Sequence, residues 1–97
     1  MKLTITPQAQ NWFKKELAPA KGQGIKFYGK VYGKTQVHEG FSVGMAVDTP
    51  EDPLLTTTIG EQLFYIEATD EWFFEGFDLV VDYDEKLDEP KYDFSQA

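Results

Sequence analysis

The sequence predicts a β-rich α+β domain, and three patterns carry that prediction. Apolar residues recur at helical spacing in one early stretch, they alternate with polar residues in several later stretches, and turns containing glycine or proline separate these stretches. One amphipathic helix beside many alternating strands is typical of a domain in which helices cover a sheet. We therefore expect six or seven strands, an N-terminal helix and one short second helix, in a single domain over residues 1–97.

The first helix is predicted over about residues 7–18. Thr6 can accept hydrogen bonds from the free amides at a helix start, and Pro7 in the first helical position loses no hydrogen bond. Trp12 and Phe13 then follow at helical spacing before a glycine-containing turn. The short stretch Lys2 to Ile5, before the helix, is predicted to be an edge strand.

From Ile25 onward the apolar residues repeat every second position, which is the period of a strand. The first of these strands should place Ile25 and Phe27 on one face and lysines and tyrosines on the other. The second, from Phe41 to Val47, has small residues on its second face, so another group can approach that face closely. Further strands are predicted at residues 54–59, 62–66, 77–83 and about 92–94, with the acidic stretch 84–90 as a loop.

Three consecutive aromatic residues, Trp72 to Phe74, are predicted to form the short second helix, with a capped, acidic start at Thr69-Asp70-Glu71 and a left-handed end at Gly76. So short a helix cannot bury all three rings, so we expect one to remain exposed as a contact patch. The core between helix and sheet is predicted to contain Trp12, Phe13, Phe27, Phe41, Val43, Leu79 and Val81.

The composition excludes several kinds of chemistry. The chain has no cysteine and one histidine, so thiolate catalysis, disulfides and cysteine-ligated clusters are ruled out. Its net charge of −8 divides into +5 over residues 1–47 and −13 over residues 48–97, which favours mutual compensation on the surface. With no arginine and no long apolar run, we expect neither nucleic-acid binding nor membrane insertion, and we expect a cytoplasmic protein.

The loop from Gly33 to Gly40 is the strongest candidate binding site, because loops between rigid strands concentrate functional residues. Its glycine spacing does not match a phosphate-binding loop. His38 beside Glu39 could ligate a metal or act as a base, although an exposed loop histidine more often does neither. The candidate binding residues are Lys34, Thr35, Gln36, His38 and Glu39.

Two other stretches have simpler interpretations. An EF-hand loop counted from Asp82 would need glycine where Leu87 stands, so the acidic stretch is better explained as a solvated face. Lysines and tyrosines alternate from Lys26 to Lys34 and resemble a surface for single-stranded nucleic acid, but an exposed strand face favours the same residues.

Segment order and local phrases give the chain a resemblance to a known family. The helix start after Leu3-Thr4-Ile5-Thr6-Pro7, the strand at Gly24-Ile25-Lys26-Phe27 and the phrases Val47-Asp48-Thr49-Pro50 and Asp82-Tyr83-Asp84 resemble the HesB-like family of A-type iron-sulfur carriers, in its small cysteine-less, YneR-like branch. The resemblance implies a distorted β pseudo-barrel or sandwich capped by helices. The family's cysteine ligands would fall in the Gly33 to Gly40 loop and near Tyr92 to Ala97, where no cysteine stands, so cluster carrying should not be inherited.

These observations favour a non-catalytic HesB-like protein that binds a partner and retains a link to iron-sulfur biogenesis through that partner. They imply no cofactor and no enzyme activity, and they leave a protein partner and a homo-oligomer open. The alternative is a metal-handling protein that uses His38 and carboxylates.

Overall fold

The computed structural model describes residues 1–30 and 40–97. The described residues contain seven strands, two α-helices and one turn of 3-10 helix, in agreement with the predicted α+β class. In chain order they are β1 (Leu3–Ile5), α1 (Pro7–Glu16), β2 (Gly24–Lys30), β3 (Ser42–Asp48), β4 (Pro53–Ile59), β5 (Gln62–Glu67), the 3-10 turn (Ala68–Asp70), α2 (Glu71–Phe74), β6 (Phe77–Asp84) and β7 (Glu89–Gln96).

The described strands form two sheets and do not close into a barrel. A three-stranded sheet has the order β1-β6-β7, and a four-stranded sheet has the order β3-β2-β5-β4. The strand β1 lies at an edge, as predicted, and pairs parallel to β6. Both sheets contribute side chains to the same core, which α1 and α2 also enter.

The helix α1 begins as the sequence predicts and ends two residues earlier. The Thr6 hydroxyl accepts a hydrogen bond from the Ala9 amide at 3.3 Å, and Pro7 is the first helical residue. Leu17 is already extended, and its amide donates to the Phe13 carbonyl at 2.9 Å. The early end follows from Pro19, which disfavours helical backbone in the residue before it.

The centre of the core is aromatic. Phe13, Phe27 and Phe64 have no exposed surface, and the ring of Phe13 meets the other two edge-on at centroid distances of 6.0 and 5.3 Å. Leu79 and Val81 bring β6 into the same cluster. Edge-to-face rings contribute stability beyond the area they bury.

Three residues predicted for the core lie at its margin instead. Trp12, Phe41 and Val43 are only partly buried and pack against the core from outside. For Val43 the reason is topology: β3 is an edge strand in the described sheet, so its apolar side chains are covered from one side only, and Phe41 lies just before this strand.

The acidic stretch 84–90, predicted as a loop, is a four-residue turn whose flanking residues belong to strands. β6 continues to Asp84, β7 starts at Glu89, and only four residues form the turn between them. Pro90 is tolerated because β7 is an edge strand, where a missing backbone donor breaks no ladder. Pairing with β6 therefore outweighs the unfavourable composition.

The second helix confirms the expectation about exposed aromatics. Phe73 and Phe74 are fully buried, whereas Trp72 is 52% exposed. Asp70 does not cap this helix: its carboxylate accepts the Gly29 amide of β2 at 3.3 Å. Gly76 is left-handed as predicted, with φ of 85°.

Candidate interaction surface at the hairpin end

One end of the molecule combines exposed apolar side chains with a rigid turn. We call it the hairpin end and define it as Trp12 together with residues 84–89. The turn of the β6–β7 hairpin presents Leu87, whose side chain is 65% exposed, the largest exposure among the described large apolar residues. Trp12 of α1 lies beside the turn and is partly exposed.

Hydrogen bonds hold the turn in one conformation. One carboxylate oxygen of Asp84 accepts the amides of Lys86 at 2.9 Å and Leu87 at 3.2 Å. The Tyr83 hydroxyl donates to the Asp88 carboxylate at 2.7 Å, and the Trp12 indole donates to the Asp88 carbonyl at 3.0 Å. The backbone of Asp88 is left-handed, with φ of 50°, a conformation that aspartate adopts more readily than most residues.

The charges of the hairpin end are mostly negative. Asp84, Glu85, Asp88 and Glu89 surround the single cation Lys86. Asp84 and Glu89 lie directly opposite each other across the hairpin. Like charges in that position destabilise a strand pair. The hydrogen bond to Asp88 raises the pKa of Tyr83, and nearby burial and carboxylates raise it further.

A groove of about 560 Å³ runs from the hairpin end along β3. Aromatic and aliphatic side chains line it together with the charged side chains of Lys30, Asp88 and Glu89. Tyr92 lies in it, and burial, followed by the charge of Glu89, raises the pKa of this tyrosine. The lining residues are Trp12, Tyr28, Lys30, Val43, Gly44, Met45, Asp88, Glu89, Pro90 and Tyr92.

Gly44 shapes one wall of the groove. A Cβ at this position would collide with the Tyr28 ring, which crosses directly over it. Tyr28 is the residue paired with Gly44 on the neighbouring strand β2, so its ring occupies the space that the missing side chain leaves. On the same face the Lys26 ammonium lies 3.2 Å from an Asp48 carboxylate oxygen and 5.7 Å from the centroid of the Tyr28 ring. That lysine is therefore engaged within the protein.

A second exposed aromatic patch lies at α2. The Trp72 ring meets the Phe41 ring edge-on at 5.5 Å. Leu54, which is 38% exposed, borders a separate depression with Glu71 and Gly76. This patch therefore offers a second exposed apolar area.

Tyr65 is a buried polar group outside both surfaces. Its side chain has no exposed surface, and its hydroxyl has no hydrogen-bond partner within residues 1–30 and 40–97. Burial raises the pKa of Tyr65 to about 12, with the charges of Asp48 and Glu67 adding to the shift. At neutral pH this hydroxyl is therefore protonated.

The binding residues predicted from sequence, Lys34, Thr35, Gln36, His38 and Glu39, lie outside the described residues. In the part of the chain that the structure describes, no group of three or more histidine, cysteine or carboxylate residues could hold a metal ion. No described helix is long and apolar enough to cross a membrane.

The sequence interpretation missed the role of the hairpin end, which depends on a contact between Trp12 and Asp88, 76 residues apart. One local signal was available. Leu87 is a lone large apolar residue inside an acidic stretch, where a solvated face would be expected to carry polar residues only.

Comparisons with known proteins show relatives along nearly the whole chain. A Bacillus subtilis protein named pyruvate dehydrogenase inhibitor is 37% identical over 94 residues, covering 97% of this chain and 99% of that protein. Uncharacterized proteins of Staphylococcus epidermidis and Staphylococcus saprophyticus are 34% and 31% identical, each aligned over 95% of this chain and 97% of the relative. No family model matches the chain. By these relatives, the chain belongs to the family of the Bacillus subtilis pyruvate dehydrogenase inhibitor.

Proposed function

We propose that this protein is a non-catalytic regulator that binds and inhibits an enzyme of the pyruvate dehydrogenase type. The name of the Bacillus subtilis relative supports the proposal, because the two chains align over almost their full lengths. The composition agrees, since a chain without cysteine has no thiol nucleophile and only one histidine to serve as an acid or base.

The observation that carries the proposal is the rigid hairpin end, where Leu87 and Trp12 stand next to an aromatic groove. A turn already fixed by hydrogen bonds loses little conformational entropy when it binds, so more of the contact energy appears as affinity. Tryptophan is enriched among the residues that dominate protein interfaces. The surrounding carboxylates favour a partner surface that is basic, and they should make association slower at high salt.

The test combines binding and inhibition. The protein is titrated into the pyruvate dehydrogenase complex of its own host, and enzyme activity and co-elution in gel filtration are measured on the same samples. A non-catalytic inhibitor should reach its full effect at a fixed molar ratio that does not change with incubation time. Inhibition that deepens with time at a small fraction of that ratio would indicate a catalytic modification and would contradict the proposal, as would a lack of co-elution.

The finer expectations from sequence belong to this proposal as well. We infer that residues 1–97 are one HesB-like domain that lacks cluster ligands and acts through a partner, and that a link to iron-sulfur biogenesis would also run through that partner. The resemblance in segment order supports this inference. The loop containing His38 and Glu39, which the sequence indicates as the strongest candidate binding site, stays a predicted contact beside the hairpin end. Replacing both residues with alanine should weaken binding to the enzyme while changing the free energy of unfolding by less than about 0.5 kcal/mol.

A further inference from the structure

The direction of the groove follows from the packing of β7 on β2. The Tyr92 ring lies 6.0 Å from the Phe27 ring, centroid to centroid. Phe94 stands two residues after Tyr92 in β7, and its ring lies 6.0 Å from the Phe73 ring, centroid to centroid. The Phe73 side chain in turn covers Gly29, which stands two residues after Phe27 in β2. The two strands therefore advance in the same direction along the groove.

This direction places opposite charges at the two ends of the groove. Glu89 stands three residues before Tyr92, and Lys30 stands three residues after Phe27. Because a strand advances about 3.3 Å per residue, the two charged residues lie on the order of 20 Å apart. Neither side chain has a hydrogen-bond or ion-pair partner among the described residues. Both are free to pair with a ligand.

The walls between these ends suit apolar side chains and, near Glu89, a cation. Val43 and Met45 line the middle of the groove along β3. Trp12 lies at the Glu89 end, because its indole is bonded to the neighbouring Asp88. A cation there would meet both a carboxylate and an aromatic face, and each interaction is attractive.

The spacing of the charges decides the class of occupant. The backbone spacing of Glu89 and Lys30 favours an elongated occupant, because six extended residues span about 17 Å between the first and last Cα atoms. We propose that the groove binds an extended segment of a partner protein, with a lysine or arginine at the Glu89 end, apolar residues in the middle and a carboxylate at the Lys30 end. This inference rests on the proposed function and specifies the partner segment.

Two like charges that face each other inside the hairpin favour an occupant with a cation. Glu89 faces Asp84 directly across the strands, an arrangement that costs stability in the free protein. A cation bound at Glu89 would relieve that repulsion. Its binding would therefore be favoured by more than the new contact alone.

The test uses synthetic peptides on a variant carrying Trp72→Phe, which leaves Trp12 as the sole tryptophan of the two in the chain. The probe is acetylated Lys-Val-Thr-Val-Thr-Glu amide, and its binding is followed by Trp12 fluorescence. Matched peptides replace the lysine, the glutamate or both with glutamine, and one further peptide replaces the lysine with glutamate. The protein variants are Glu89→Gln, Glu89→Lys and the control Glu61→Gln, whose carboxylate lies in the β4–β5 turn and does not line the groove.

We expect the probe to bind the Trp72→Phe protein and its Glu61→Gln derivative equally, and to bind Glu89→Gln at least tenfold more weakly. The Glu89→Lys protein should prefer the peptide in which glutamate replaces the lysine, an exchange of specificity that a purely structural role for Glu89 would not produce. Equal affinity for charged and glutamine peptides, or no fluorescence change at millimolar peptide, would overturn the inference.

The two proposals can fail separately. If the peptide preference holds and the protein does not inhibit pyruvate dehydrogenase, the groove is a peptide site and the assigned partner is wrong. If the protein inhibits the enzyme and shows no peptide preference, the proposed function stands and the groove inference is wrong.

Discussion

Trp12 and Phe13 are neighbours in α1, yet they belong to regions built in different ways. Phe13 is fully buried and meets the rings of Phe27 and Phe64 edge-on. Trp12 is partly exposed and is fixed by a hydrogen bond to the Asp88 carbonyl. The core gains its stability from burial, whereas the hairpin end is ordered by polar contacts that leave its apolar surface open. Substitutions in the two regions should therefore affect different measurements.

The largest expected effect on stability is in the core. Replacing Phe27 with alanine removes a fully buried ring that contacts Phe13, Phe64 and Tyr92, and should lower the free energy of unfolding by about 3–5 kcal/mol. Urea unfolding followed by circular dichroism measures this change. The Phe41→Ala change should cost less, because Phe41 is only partly buried. Equal urea midpoints for Phe27→Ala and the parent would contradict the assignment of Phe27 to the core.

Tyr65 offers a smaller effect, and the size of that effect depends on pH. At pH 7 the Tyr65→Phe change removes a buried hydroxyl without a partner in the described structure, so stability should stay level or rise by about 1 kcal/mol. The pKa of Tyr65 is about 12 in the folded protein, against the ordinary value of 10 in the unfolded chain. The unfolded state therefore ionises first, and the parent loses stability between pH 10 and 12.

The Tyr65→Phe variant should lose less stability over that interval. Thermal unfolding at pH 7, 10 and 11 tests both statements, and Tyr83 and Tyr92 contribute to the remaining loss because their pKa values are also raised. An identical alkaline loss in the variant and the parent would show that Tyr65 is not the group responsible.

The smallest effect is expected in the hairpin end. The Glu89→Gln change removes a charge directly opposite Asp84, so the melting temperature should remain unchanged or rise slightly. Differential scanning calorimetry at low salt measures it, with Glu61→Gln as the matched control. A clear drop in melting temperature would mean that Glu89 stabilises the hairpin and would weaken its assignment to binding.

Local patterns in the sequence predict most of the fold. Alternation gives β2 and the hairpin of β4 and β5, and Thr6-Pro7 gives the start of α1, because these signals depend on neighbouring residues. Helical spacing alone could not separate Trp12 from Phe13, since their different burial depends on where the distant β6–β7 turn lies. The start of β7 at Glu89 was missed for the same reason. The backbone pairing of β7 with β6 outweighs the acidic composition of the segment.

The candidate surface was harder to predict than the fold. The acidic composition of residues 84–89 indicates a solvated stretch, and only the hydrogen bonds to Asp84 and Asp88 show that it is a rigid turn presenting Leu87. The groove depends on two strands from different sheets, β3 and β7, so no local pattern could reveal it.

The most direct test of the hairpin end as the binding surface compares two exposed leucines. Leu87→Asp and Leu54→Asp each place a charge on an exposed apolar site, one in the hairpin end and one beside the α2 patch. Isothermal titration calorimetry with the host pyruvate dehydrogenase complex should give at least a tenfold higher Kd for Leu87→Asp, which corresponds to about 1.4 kcal/mol, and an unchanged Kd for Leu54→Asp. Unchanged affinity for Leu87→Asp together with a large loss for Leu54→Asp would contradict the account and place the interface at α2.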